Sequence, residues 1–137
     1  MGISSSEPSS PSIRLIGEGG VGACGLMVTG ERDSVLLDAG LGLGTDLEES
    51  ARVPDAVVIT HAHLDHCGAV LELVQSGRLD WMVDDGGEEE CLVWASPETT
   101  KLLPSVLASV EGVSPVQARA AARQVREAPV GQWWCPT

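Results

Sequence analysis

The chain contains no phenylalanine and no tyrosine, and its four tryptophans are its whole aromatic content. Its core must therefore come from Val, Leu, Ile and Ala, with 43% of all residues apolar. Basic residues are also scarce. Eight Lys and Arg stand against 20 Asp and Glu, for a net charge of −12. Such a surface repels phosphate backbones and argues against the isolated chain as a nucleic-acid clamp. No apolar run approaches the length of a membrane span. Residues 1–12 also lack the apolar centre of a secretory signal. The four cysteines, Cys24, Cys67, Cys91 and Cys135, form no CxxC pair, and their spacings of 43, 24 and 44 residues match no zinc finger. The expectation is a reduced, cytoplasmic setting with free thiols. Histidine is confined too: none follows His66 in the remaining 71 residues.

What is present fits one domain of 137 residues. A Ser/Pro-rich tail over residues 1–12 is expected to be disordered, and residues 13–137 to form the domain. Strands are expected at Ile13–Ile16, Ala23–Thr29 and Ser34–Asp38, which makes the first third a β-meander. The glycine-rich turn at Gly17–Gly22 lacks a following GK[ST] and leads into a strand, so a phosphate loop is disfavoured. A helical turn is expected at Asp46–Ala51. The β-branched run Asp55–Thr60 reads as a buried strand and Leu64–Gln75 as a helix closed by Gly77. Residues 84–90 form an acidic loop without an EF-hand pattern and read as solvated. Cys91–Ala95 reads as another strand. Ser96-Pro97 and Ser114-Pro115 each start a helix, running to about Val110 and Glu127. Arg119, Arg123 and Arg126 would share one face of the last helix, as a solvated face rather than an RNA contact.

The chemistry concentrates at Thr60–Gly68. His61, His63 and His66 are the chain's only histidines, and Asp65 stands among them. Imidazoles and a carboxylate this close suit divalent metals, zinc first. His61, His63 and Asp65 alternate as along an extended segment, and His66 can diverge from Asp65 toward a neighbouring ion. The cluster follows a buried strand and precedes a helix, where sites collect in α/β sheets.

HAHLDH after VVIT resembles the HxHxDH signature of the metallo-β-lactamase superfamily. The fold implied is α/β, the N-terminal half of an αββα sandwich. The resemblance implies His61 and His63 as ligands of a first zinc, and Asp65 and His66 as ligands of a second. Asp65 would also help position the attacking water. Asp38, in LLDAG at the end of the preceding strand, would orient ligands. GGVGACGLMV, LLDAGL, ITHAHLDHCGAV and VWASPETTKLL are similar to the β-CASP branch, which includes ribonuclease J and the cleavage-and-polyadenylation endonuclease. Metal-assisted hydrolysis, most readily of RNA phosphodiesters, is the activity implied.

The sequence departs from the pattern in lacking the family's downstream ligands and the β-CASP insertion. The expectation is an N-terminal portion, weak or inactive alone. Three functions stay open: a ribonuclease by descent, a small-molecule ester, thioester or lactone hydrolase, and a non-catalytic module that binds a complementing or identical chain through its open sheet edge. Cys24 and Cys67 could in principle add a thiolate, although Cys67 reads as a packing residue. Trp133 and Trp134, near the end, read as facing a missing neighbour rather than as covering a core edge or stacking on RNA bases.

Overall fold

In a computed structural model, the structure describes residues 11–16, 23–44, 51–79, 81–83 and 91–137. The glycine-rich turn expected at 17–22 and the acidic loop expected at 84–90 lie outside these residues, as does most of the Ser/Pro-rich tail. Among the described residues, eight strands and four helices follow in the order β1 Ser12–Leu15, β2 Leu26–Thr29, β3 Ser34–Leu37, β4 Ala51–Arg52, β5 Ala56–Ile59, α1 Leu64–Cys67, α2 Val70–Ser76, β6 Met82–Val83, β7 Leu92–Ala95, α3 Pro97–Ala108, α4 Pro115–Ala122 and β8 Arg126–Glu127. Of the helical turn expected at Asp46–Ala51, the only described residue, Ala51, opens β4 and pairs with Met82 in a small parallel sheet.

The main sheet has the order β1-β2-β3-β5-β7-β8. Strands β1, β2 and β3 form the expected antiparallel meander. From β3 onward the pairing is parallel. The change follows from the connections: a four-residue turn at 30–33 reverses the chain between β2 and β3, whereas β5 and β7 are joined through helices. This mixed sheet with helices is half of an αββα sandwich.

Alternation along the strands separates two faces. Met27, Leu36, Val57 and Val93 stand in register across four strands, and all are buried. They join one apolar cluster with Val70, Leu73, Leu103, Leu107, Ala118 and Ala121 from the helices. Each fully buried Leu contributes roughly 1.5–3 kcal/mol. The helices begin as their sequences dictate. The Ser96 hydroxyl accepts from the Thr99 amide at 3.2 Å, ahead of Pro97. Ser114 and Gln117 form a reciprocal capping box. The Gly77 backbone closes α2 at φ 77°, and its N–H donates to the Leu73 carbonyl at 2.8 Å.

The opposite face carries the row Leu15, Leu26, Leu37, Val58 and Trp94. Leu15 there is 59% exposed. The C-terminal segment folds back onto this row. Trp134 packs on Trp94 with ring centroids 4.9 Å apart, and Trp94 Nε1 donates to the Pro136 carbonyl at 3.0 Å. This corrects the expectation of two tryptophans facing a missing neighbour. Trp134 is half-buried on the sheet and only Trp133 is fully exposed.

Two expected helices also differ. Leu64–Gln75 is interrupted between α1 and α2 because its ladder partners are taken. The Asp65 carbonyl accepts from Cys24 N at 2.7 Å, the His66 carbonyl accepts from Ala39 N at 2.7 Å, and Ala69 N donates to the Ala39 carbonyl at 2.9 Å. The helix expected to reach Glu127 ends at Ala122, and Arg126–Glu127 pairs with Trp94–Ala95 as strand β8. Arg126 therefore leaves the face of Arg119 and Arg123 and lies over the Trp94 ring at 5.7 Å.

Candidate metal centre

Three chain segments meet at the carboxyl ends of β3 and β5. They are residues 23–25 before β2, residues 38–41 after β3, and residues 60–69 after β5. Backbone hydrogen bonds stitch them together. Besides those that interrupt the helix, Gly40 N donates to the Cys24 carbonyl at 3.1 Å and Leu41 N to the Leu64 carbonyl at 3.1 Å. Gly40 is required by this crowding. A Cβ there would lie 2.2 Å from the Asp65 carbonyl oxygen and 2.7 Å from Ala23 Cα.

Asp38 stands at the centre. It is the only non-glycine residue with positive φ among the described residues, at 66°, and it is 8% exposed. A non-glycine residue in this conformation costs of order 1–3 kcal/mol and is held only by surrounding structure. Its carboxylate is fully engaged. Oδ1 accepts from Thr60 N at 2.7 Å, Thr60 Oγ1 lies 2.9 and 2.8 Å from Oδ1 and Oδ2, and His66 Nδ1 lies 2.8 Å from Oδ2.

These bonds fix the tautomers of two histidines. A carboxylate only accepts, so His66 Nδ1 carries a proton and the ring directs Nε2 outward. That Nε2 lies 3.5 Å from Asp65 Oδ2. The Thr60 hydroxyl donates to Asp38, so Thr60 Oγ1 accepts from His61 Nδ1 at 2.9 Å. His61 thereby also presents Nε2. The rings of His61 and His66 are 4.1 Å apart between centroids, and those of His61 and His63 are 4.8 Å apart, edge to face.

Among the described residues the donors fall into two groups, each with ligand atoms within 4.8 Å of one another: Asp38, His61 and His66, and Cys24, Asp65 and His66. In the first, both Asp38 oxygens are occupied by Thr60 and His66, which makes Asp38 an orienting group. His63 is exposed and enters neither group. Its backbone carbonyl starts α1, accepting from His66 N and Cys67 N, both at 2.8 Å. The donor chemistry fits a divalent cation. Tetrahedral zinc with bonds of about 2.0–2.1 Å separates its ligand atoms by roughly 3.3–3.4 Å, close to the His66–Asp65 distance of 3.5 Å.

Residues 17–124 match the family model described as the metallo-beta-lactamase superfamily. The chain belongs to this superfamily. It is also similar to the transcription termination factor FttA of Lokiarchaeum sp. (strain GC14_75), with 46% identity over a 65-residue alignment that covers 40% of this chain and 10% of that protein. The chain thus spans about a tenth of the length of the relative it matches.

Within this metallo-β-lactamase domain, the sequence singled out His61, His63, Asp65, His66 and Asp38, and the structure gathers all five at one end of the sheet. It did not single out Thr60. The signal was its place: a hydroxyl residue closing an otherwise apolar strand, directly before the first histidine. Cys67 is fully buried in the apolar cluster, and burial pushes its thiol up to about 11, helped by the charges of Asp38 and Asp65. It is a packing residue, as its sequence position suggested.

Proposed function

We propose that this chain carries the HxHxDH side of a metal-dependent hydrolase site, with RNA phosphodiesters as the substrate class. One observation carries the proposal: His66 Nε2 faces Asp65 Oδ2 at 3.5 Å while Asp38 holds the opposite ring nitrogen at 2.8 Å. An imidazole nitrogen and a carboxylate oxygen at this spacing, with the ring held from behind, suit a divalent cation between them.

When bound there, zinc supplies Lewis acidity and lowers the pKa of water. Asp65 and His66 would hold one ion, and His61 and His63 the other. Asp65 also offers a carboxylate oxygen to orient water for attack. Asp38 and Thr60 keep the histidine protons on Nδ1, so that both Nε2 atoms stay available without a tautomer change. The partly exposed positions of His61, Asp65 and His66 leave the site open to substrate. RNA is favoured by the ASPETT and GGVGACG segments and by likeness to a relative named for terminating transcription.

A second reading, hydrolysis of a small ester, thioester or lactone, is favoured by the net charge of −12, which opposes a polyanionic substrate. A third, a non-catalytic module that binds a complementing or identical chain, is favoured by the apolar row on the sheet face opposite the described helices. Turnover decides among them. Zinc-loaded protein is assayed on a fluorescent RNA oligomer and on aryl ester and thioester panels, beside Asp65→Asn and His66→Ala. RNA cleavage abolished in both variants supports the first reading. Ester cleavage alone supports the second. No zinc-dependent turnover on any substrate overturns both.

A further inference from the structure

We infer that Cys24 is a ligand of this metal centre, supplying a thiolate beside Asp65 and His66; the inference rests on the metal-hydrolase reading above and extends its ligand set. The observation is spatial. Cys24 Sγ, a carboxylate oxygen of Asp65 and a ring nitrogen of His66 all lie within 4.8 Å of one another. The three residues come from two segments far apart in sequence, and nothing in the HAHLDH run points to Cys24.

Backbone contacts explain why the thiol stands there. Cys24 N donates to the carbonyl of Asp65 itself at 2.7 Å, and the Cys24 carbonyl accepts from Gly40 N at 3.1 Å. The cysteine is thus pinned by its N–H to the segment that bears its fellow donors and by its carbonyl to the neighbouring segment at 38–41. Its side chain is half-exposed on the open side of the site, in contrast to Cys67, which is fully buried among apolar residues.

The chemistry of the set is coherent. With Zn–S near 2.3 Å and Zn–N near 2.0–2.1 Å, ligand atoms in a tetrahedral site stand roughly 3.4–3.7 Å apart. The three ligand atoms, all within 4.8 Å of one another, therefore need to close by no more than about 1 Å to meet one ion. Binding transfers the thiol proton to solvent, and the sulfur lone pair forms the metal bond. Three protein ligands with one position open is the arrangement of catalytic zinc. Asp65 and His66 supply two, and Cys24 makes the third. A thiolate also biases the site toward zinc and cobalt and away from magnesium and calcium.

Cobalt(II) tests this on the full chain. A thiolate ligand gives an intense near-ultraviolet sulfur-to-cobalt charge-transfer band, separate from the visible bands that report cobalt binding itself. The band is expected in the wild type, in Cys91→Ser and in Cys135→Ser, and is expected to vanish in Cys24→Ser. Loss of the ligand should also weaken zinc binding by about tenfold or more. Because Cys24→Ser changes one atom, its circular dichroism should match the wild type. As a check that needs no variant, zinc should protect Cys24 from maleimide labelling, read by peptide mass spectrometry. Visible cobalt bands without the charge-transfer band overturn the ligand assignment and leave the metal-hydrolase reading standing. A charge-transfer band with no hydrolysis of any substrate upholds Cys24 and removes that reading. Absence of cobalt binding overturns both.

Discussion

The helix-covered core and the metal end of the same sheet are held by different forces. In the core, Leu36, Val57, Leu103 and Leu107 are fully buried and make no polar demands. Their stability is proportional to area and indifferent to small angular errors. At the metal end, three loop segments are tied by short backbone hydrogen bonds, one residue adopts φ 66°, and Gly40 and Gly68 leave no room for a Cβ. The core supplies free energy and the site consumes some of it to hold donors in place. Strain at Asp38 persists because β3 and β5 beneath it are anchored by apolar packing.

Variants on the two sides should therefore separate stability from metal affinity. The largest effect belongs to Leu103→Ala, which opens a cavity under α3. Denaturant unfolding should show a loss of about 2–5 kcal/mol, while zinc affinity of the folded fraction stays unchanged. A matching fall in zinc affinity would break the distinction. Asp38→Ala should do the reverse where metal is concerned, weakening zinc binding about 10–100-fold in a competition titration against a chelator. Thr60→Val removes only the bond to His61 and the hydroxyl bond to Asp38, so its loss of affinity should be smaller, with about 1 kcal/mol of stability. Thr60→Ser should restore both. Equal affinity in Asp38→Ala and wild type would show that Asp38 is not the orienting group.

The thiols give the smallest and cleanest contrast. Burial pushes Cys67 up to about 11 and Cys91 up to about 12, with the charge of Asp55 adding to the second. Cys135 is shifted downward by hydrogen bonds from Thr137. Timed alkylation of the native protein at neutral pH should label Cys135 first, and Cys67 and Cys91 only on unfolding. The sign for stability follows. The unfolded thiols titrate near 9.0, so above that value the unfolded chain binds fewer protons than the native one. The stabilising contribution of the buried neutral thiols is intact below about pH 9 and is lost as pH rises toward 11 and 12. Unfolding free energies measured from pH 8 to 11 should fall accordingly, and less steeply in Cys67→Ala.

Much of this was legible in the chain because it is written in local pattern. The β-branched run at 55–60 announced a buried strand, Ser-Pro pairs announced two helix starts, and Gly77 announced a helix end. The four motif residues announced the site. What stayed hidden was set by distant partners. The break between α1 and α2 exists because Cys24 and Ala39 take the helix carbonyls, and no local propensity encodes that. Strand β8 exists because Trp94 and Ala95 offer a free edge to a segment with a helical composition. Thr60 joined the site, and Cys24 was singled out over Cys67 as a possible thiolate, only when the sheet brought β2, β3 and β5 side by side.

The central claim is that the Asp38–Thr60–His61–Asp65–His66 cluster binds metal. Equilibrium dialysis of the purified chain against zinc, followed by elemental analysis, tests it most directly beside a His61→Ala/His66→Ala double variant with native circular dichroism. The account predicts zinc retained by the wild type and lost from the double variant. Equal zinc in the two proteins, or none in either, would contradict it.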